Sequence, residues 1–180
     1  MLDQQSIIPA ISNHQDLKRF LALPLVYGIL MNFQLAQLPD LVNTMKQAGK
    51  KVLIHSELIR GLSSDEYGAI YLIQALGVDG IISSKPKVIE ICRKRKVIGI
   101  FRFFLKDSIS LAQSIDLARK VDPDYIEVLP AYGVALIPEL NKHLTAKVLL
   151  GGLIQSRMQI DDCLRQGAMA VTTSNAAFWG

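Results

Sequence analysis

Eight short runs of aliphatic and β-branched residues punctuate the chain, and each but the last leads into a longer stretch with helical spacing. The runs are IIPAI (7–11), YGILMNF (27–33), KVLIHSEL (51–58), DGIISS (79–84), VIGIFRF (97–103), DYIEVLP (124–130), KVLLGGL (147–153) and AMAVTTS (168–174). Their apolar residues are continuous rather than strictly alternating, which reads as parallel strands buried on both faces. The segments between them carry helix signals. Asn13 is placed to cap the first, with Leu17, Phe20 and Leu21 on one face. Leu38, Leu41, Val42 and Met45 have helical spacing ahead of Gly49, and Ser156 and Gly167 bracket the last segment. Pro138 places the start of the sixth helix near itself.

Eight strand–helix units without a change of composition predict an α/β chain, residues 1–180 forming a small single-domain (β/α)8 TIM-barrel-like fold. An open doubly wound sheet is the alternative. The fold more often takes about 250 residues, so the loops must be short, and the eighth helix shrinks to a turn at AAFWG.

Half of the 180 residues are hydrophobic and a fifth are charged, enough apolar content for one core and too little charge for disorder. No apolar run is long enough for a membrane span, and the first residues lack a signal-peptide pattern. Cys92 and Cys163 lie far apart in helical segments, which reads as buried thiols in a reducing cytoplasm rather than a disulfide or metal cluster. The net charge of +4 permits an anionic partner without demanding one.

In a barrel of this kind function lies at the C-terminal ends of the strands. Those positions carry Asn32 and Gln34; His55 and Glu57; Ser83, Ser84 and Lys85; Arg102; Glu127; Gly151 and Gly152; and Thr172, Thr173, Ser174 and Asn175. Loops after strands seven and eight, with a short helix following, are a frequent phosphate seat. Gly151, Gly152, Thr173, Ser174 and Asn175 therefore form the candidate phosphate site, the alternative being a glycine bend and a polar strand end. Arg102 suits either an ion pair with Glu127 or an anionic ligand. Glu127 can accept from ligand hydroxyls or act as a base. His55 and Glu57, two apart on one strand, are expected to point the same way. Asp65 and Glu66 read as helix-opening acids. The run Arg93, Lys94, Arg95 and Lys96 closes the fourth helix, where cations are ordinary, and also offers a nucleic-acid contact together with Lys85 and Lys87.

Taken in order, IIPAI, YGIL, IHSELIRGLSSDEYG, GIISSK, DYIEVLP, GGLI and AVTTSN followed by Trp179 resemble the glycerol uptake operon antiterminator family along essentially the whole chain. The resemblance implies a TIM-barrel-like regulator of transcription that responds to glycerol 3-phosphate and acts on leader mRNA, with no metal or other cofactor. It implies phosphate at Gly151, Gly152, Thr173, Ser174 and Asn175. Strand position adds His55, Arg102 and Glu127 around the glycerol part. The RNA candidates are Arg60, Lys85, Lys87, Arg93, Lys94, Arg95 and Lys96, and a homo-oligomer is compatible with the resemblance. The chain departs from the family pattern at Asn32 and Gln34, where an Asp and a His are expected. It departs again at Glu57, where Asp is usual, and at Ala131, where Gly is usual; Gly133 reads as restoring turn flexibility. The rival reading is an aldolase or isomerase for a small phosphorylated substrate, with Lys85 as its best-placed lysine. A sensor acting through a protein partner is a third.

Overall fold

The computed structural model describes residues 2–180. Eight parallel strands close into a barrel in sequence order: β1 (Ile7–Ile11), β2 (Tyr27–Leu30), β3 (Lys51–His55), β4 (Gly80–Ser83), β5 (Ile98–Phe104), β6 (Tyr125–Leu129), β7 (Lys147–Gly151) and β8 (Ala170–Thr173). β1 pairs with both β2 and β8, with Ile8 opposite Thr172, so the sheet has no edge and the open-sheet alternative falls. Seven helices cover the outside: α1 (His14–Leu21), α2 (Leu38–Gln47), α3 (Glu66–Ile70), α4 (Pro86–Arg95), α5 (Ser108–Val121), α6 (Ile137–His143) and α7 (Arg157–Arg165). A 3-10 turn, Ala176–Phe178, stands where an eighth helix would be.

The continuous apolar runs now have a physical reason. Successive strand residues point alternately into the barrel and out toward the helices, and both sides are dry. Ile8, Ile29, Leu53, Ile82, Ile100, Leu149 and Ala170 fill the barrel. Ile7, Leu30, Ile54, Ile81, Phe101, Ile126, Val148 and Val171 face the helix layer. The bottom is closed: Leu2 is fully buried in the inner cluster, and the Gln5 amide donates to Ile7 and Tyr27 carbonyls and accepts from the Val26 and Tyr27 N–H groups. The top is polar. The next inward position above Leu53 is His55, above Ile100 is Arg102, above Tyr125 is Glu127 and above Ala170 is Thr172.

The helix ends follow the predicted chemistry in most places. Asn13, Asp65 and Ser156 accept backbone N–H groups of α1, α3 and α7, and Gly49 and Gly167 hold left-handed φ of 73° and 105° beyond α2 and α7. Four elements differ from expectation. The second and third strands are shorter, β3 ending at His55 and passing into a 3-10 turn, Ser56–Leu58. The third helix changes to a π-helical turn over Tyr71–Ala75. The sixth begins as a 3-10 segment, Ala131–Leu136, and becomes α-helical one residue before Pro138. Gly133 sits in that segment without a left-handed φ. A Cβ there would come within 2.9 Å of Leu105 Cδ1 and 3.1 Å of Val128 Cγ1, so it is glycine for close packing rather than for turn flexibility.

Candidate functional site

A cavity of about 220 Å³ opens at the C-terminal ends of the strands. Its lining includes Met31, His55, Arg102, Glu127, Leu129, Gly152, Leu153, Thr172, Thr173, Ser174 and Asn175. Arg102 is the centre of its charge. One Nη of Arg102 meets His55 Nε2, and its Nε lies 3.3 Å from Glu127 Oε2. A guanidinium can only donate, so His55 Nε2 accepts and the ring proton sits on Nδ1. That nitrogen faces Glu57 Oε2 at 3.7 Å. The other Glu57 oxygen accepts from Ser83 Oγ, Ser84 N–H and Ser84 Oγ at 2.8, 2.7 and 3.0 Å, so Glu57 anchors the β4–α4 loop from behind the cavity wall. Glu57 and His55 meet as expected, but for a different reason: Glu57 lies in the 3-10 turn, where strand alternation does not apply.

Burial first, and the Arg102 cation second, hold the His55 ring down to about 4, against the pull of Glu57. His55 is therefore neutral at neutral pH. Burial raises the Glu127 carboxyl above the usual carboxylate range, opposed by Arg102 and by the 2.6 Å hydrogen bond that Thr172 Oγ1 donates to Oε1. His55 Nδ1, Glu57 Oε2, Arg102 Nε and Glu127 Oε2 are buried without a hydrogen bond inside the protein. Four such atoms around one mouth are energetically costly to maintain. His55 Nδ1 and Glu57 Oε2 face each other behind the wall, whereas Arg102 and Glu127 line the cavity and present the donor and acceptor that a polar ligand, or a small rearrangement on its arrival, can satisfy.

The β8 side of the cavity carries the small polar groups. Thr173 Oγ1 accepts the Asn175 N–H, and Asn175 Oδ1 in turn caps the terminal 3-10 turn through Ala177 N–H. Behind them Trp179, buried, donates its indole N–H to the Thr173 carbonyl at 2.9 Å. Of the two glycines, Gly152 lines the cavity and holds φ 77°. Gly151 is buried in the wall: a Cβ there would fall 2.2 Å from Thr172 Oγ1 and 3.2 Å from Glu127 Oε1. Its missing side chain makes room for the Thr172–Glu127 bond.

Other sequence candidates stand elsewhere. Asn32 and Gln34 are exposed and do not line the cavity; Asn32 holds a left-handed φ of 62°, which turns the chain outward and leaves Met31 on the inside. The cations form two groups. Arg60, Lys85 and Lys87 are exposed at the rim, Arg60 donating to the Asn32 carbonyl and Lys87 lying 4.0 Å from Glu66. Arg93, Lys94, Arg95 and Lys96 are exposed at the other end of α4, about 15 Å away by the rise of its ten residues. Arg93 pairs there with Asp122 at 3.0 Å. Cys92 and Cys163 are free and buried. The sequence gives no signal for Met31, Leu129 or Leu153; Thr172 stands among the strand-end positions read from the sequence, outside the phosphate set, and the structure adds it to the lining. Among the described residues, no group of three His, Cys, Asp or Glu is placed to hold a metal ion, and no helix is long and apolar enough to cross a membrane.

Comparison with known proteins matches this arrangement to one family. A family model described as glycerol-3-phosphate responsive antiterminator matches residues 7–179. A glycerol uptake operon antiterminator regulatory protein from Listeria monocytogenes superposes with a TM-score of 0.93 at 38% identity, covering 97% of this chain and 95% of that one. A related antiterminator-related protein from Thermotoga maritima gives 0.84 at 26% identity, with 97% of each chain covered. YgcP, an uncharacterised protein of Escherichia coli, is 25% identical over 99% of this chain and 94% of its own length. Deoxyribose phosphate aldolase from Aeropyrum pernix shares the barrel alone, with a TM-score of 0.72 at 15% identity over 95% of this chain and 86% of its own. The chain belongs to the glycerol-3-phosphate responsive antiterminator family.

Proposed function

We propose that the chain is a cytoplasmic regulator of glycerol-utilisation genes that binds glycerol 3-phosphate in the top cavity and leader mRNA on its surface. The carrying observation is one cavity lined on its β8 side by Gly152, Thr173, Ser174 and Asn175 and across from them by His55, Arg102 and Glu127. The phosphate sits on the β7–β8 side, where small polar groups and a glycine allow close approach. Ligand hydroxyls donate to Glu127 Oε2, and Arg102 supplies the cation. The ligand acts by binding one conformation better than another, and that conformation binds RNA. Of the two cation groups, the rim set is favoured for RNA. Arg60 shares a groove with Tyr71, and Tyr67, one helical turn earlier, is 75% exposed. Exposed rings beside cations are what unstacked bases require. The Arg93–Lys96 run is accounted for by its place at a helix C-terminus. The aldolase reading gains nothing from the cavity, since its lining includes no lysine and Lys85 is exposed at the rim.

The test is calorimetry with glycerol 3-phosphate, glycerol and inorganic phosphate, on wild type and on Ser174→Asp, an exposed lining position where a carboxylate repels phosphate. Saturable binding of the ester, weakened by the substitution, is expected; no binding of any of the three refutes the ligand assignment. For RNA, replacing Arg60, Lys85 and Lys87 together by Ala should lower the salt slope of leader binding by about two, at ~0.7 per lost contact on single strands. The same loss on neutralising residues 93–96, with the rim variant unchanged, would move the RNA to the other end of α4.

A further inference from the structure

Large exposed hydrophobic side chains are concentrated on one sector of the cavity mouth. Phe104, Ile109, Tyr132, Leu153 and Met158 are 49, 68, 62, 62 and 72% exposed, and all five lie just above strands β5, β6 and β7. Among the described residues only four other large hydrophobic side chains are exposed, and of those only Tyr67 is as open as these five, so the clustering is not the ordinary scatter of a surface. The loops that carry them are laced together. Leu105 N–H donates to the Leu129 carbonyl at 2.9 Å, Ala131 N–H donates to the Gly152 carbonyl at 3.2 Å, and Gly133 lets its segment close on Leu105. Leu153 holds a left-handed φ of 57°, a conformation that costs a bulky residue energy and marks functional positions. It is also part of the cavity lining.

The chemistry of this sector selects its occupant. The β5–α5 loop carries one cation and one anion, Lys106 and Asp107, and offers no surplus positive charge for nucleic acid. At ~100 Å² for each half- to three-quarters-exposed side chain, the five present about 500 Å² of apolar surface. A standard interface takes about 800 Å² from each partner, and homodimer interfaces are about two-thirds apolar. One such patch supplies the apolar share of one interface. We propose that this sector is where a second copy of the chain docks about a two-fold axis, with Phe104, Ile109, Tyr132, Leu153 and Met158 as its apolar anchors. Arg60, Lys85 and Lys87 follow β3 and β4, outside that sector, and stay open to RNA in such a dimer. Because Leu153 belongs to both surfaces, the interface and the cavity are linked, and by reciprocity the ligand shifts dimerisation as much as dimerisation shifts ligand affinity. This linkage rests on the reading of the cavity as a phosphate-ester site; the interface itself does not.

Sedimentation velocity on the ligand-free protein over a wide concentration range tests the interface, comparing wild type with the double substitution Ile109→Asp and Met158→Asp. Neither position lines the cavity and both are exposed, so far-UV circular dichroism should not change, nor should Tm at concentrations where both proteins are monomeric. A concentration-dependent dimer in wild type, weakened about a hundredfold or more by the buried unpaired charges, two from each protomer, is expected. A wild type that stays monomeric throughout, or a dimer that survives the double substitution, overturns the proposal. Glycerol 3-phosphate is then added to wild type. A several-fold shift in the association constant supports the linkage, and a constant that ignores a ligand seen to bind by calorimetry removes it. If calorimetry detects no binding, the functional reading fails and the ligand-free result stands by itself.

Discussion

Gly151 and Thr172 form a test of how the cavity wall is built. The Cβ of Gly151→Ala would lie 2.2 Å from Thr172 Oγ1, the group that donates to Glu127 at 2.6 Å. Something must move, and the light element is Thr172, so the substitution loses that hydrogen bond as well as overpacking the wall. A hydrogen bond to a charged group is worth about 1.5–3 kcal/mol and overpacking costs about 1–3 kcal/mol. Gly151→Ala should therefore destabilise by about 3–5 kcal/mol. Thr172→Ala alone loses the bond and should cost about 2 kcal/mol. In the double variant the hydroxyl is gone before the methyl arrives. Of the next atoms a Cβ would meet, Thr172 O at 3.4 Å is in ordinary contact and Glu127 Oε1 at 3.2 Å must give by a few tenths of an ångström. The pair should then cost about 2–3 kcal/mol, well under the ~5–7 kcal/mol that independent sites would give. Urea unfolding of the four proteins measures the cycle through the midpoint at constant m-value. Additive losses would refute the argument, and Gly151 would then be glycine for some reason other than Thr172.

Two further expectations follow from the same site. Because the folded His55 is held at about 4 and an exposed histidine titrates near 6.5, the unfolded chain binds more protons between those values. Its contribution is complete above pH 6.5 and is lost as pH falls toward 4, up to about 3 kcal/mol. His55→Asn should flatten unfolding free energy over that window, and an unchanged slope would show that other groups carry the acid sensitivity. Trp179 is the one tryptophan of the chain and bonds to the Thr173 carbonyl. Glycerol 3-phosphate should change its emission in step with calorimetric saturation, and saturation without any spectral response would move the phosphate away from the β8 loop.

The fold was legible because two simple periods do the specifying. Eight aliphatic runs set the strand count, and Asn13, Asp65, Ser156, Gly49 and Gly167 mark helix ends by chemistry that acts within a few residues. The polar mouth was legible for a related reason: His55, Arg102, Glu127 and Thr172 each stand two residues above an apolar barrel residue. What was hidden depends on atoms far apart in sequence. Gly151 is glycine because of a threonine on the next strand. Gly133 is glycine because of Leu105. The Glu57 carboxylate reaches back to Ser83 and Ser84 only because β3 stops at His55 and the chain tightens into a 3-10 turn. Strand alternation gave the correct neighbour there through a mechanism that does not operate.

The departures at positions 32 and 34 are the clearest case of a residue type read in the wrong surroundings. At a strand end, amides in place of ionisable groups suggest weakened chemistry in the cavity. The left-handed turn at Asn32 takes both side chains out of it. What the segment does instead is hold Arg60: the Asn32 carbonyl accepts from the Arg60 guanidinium at 2.7 Å, the Arg60 N–H donates to the Phe33 carbonyl, and the Leu35 N–H donates to the Arg60 carbonyl. These contacts use backbone atoms, so they depend on the conformation at Asn32 rather than on its amide. Asparagine tolerates that conformation better than most residues. A change of side chain at position 32 therefore acts first on the rim that bears Arg60, Tyr71 and the proposed RNA surface. It reaches ligand affinity through its chain neighbour Met31, which lines the cavity, and through the Asn32 N–H bond to the Leu58 carbonyl at 2.8 Å, which ties it to the turn that carries Glu57.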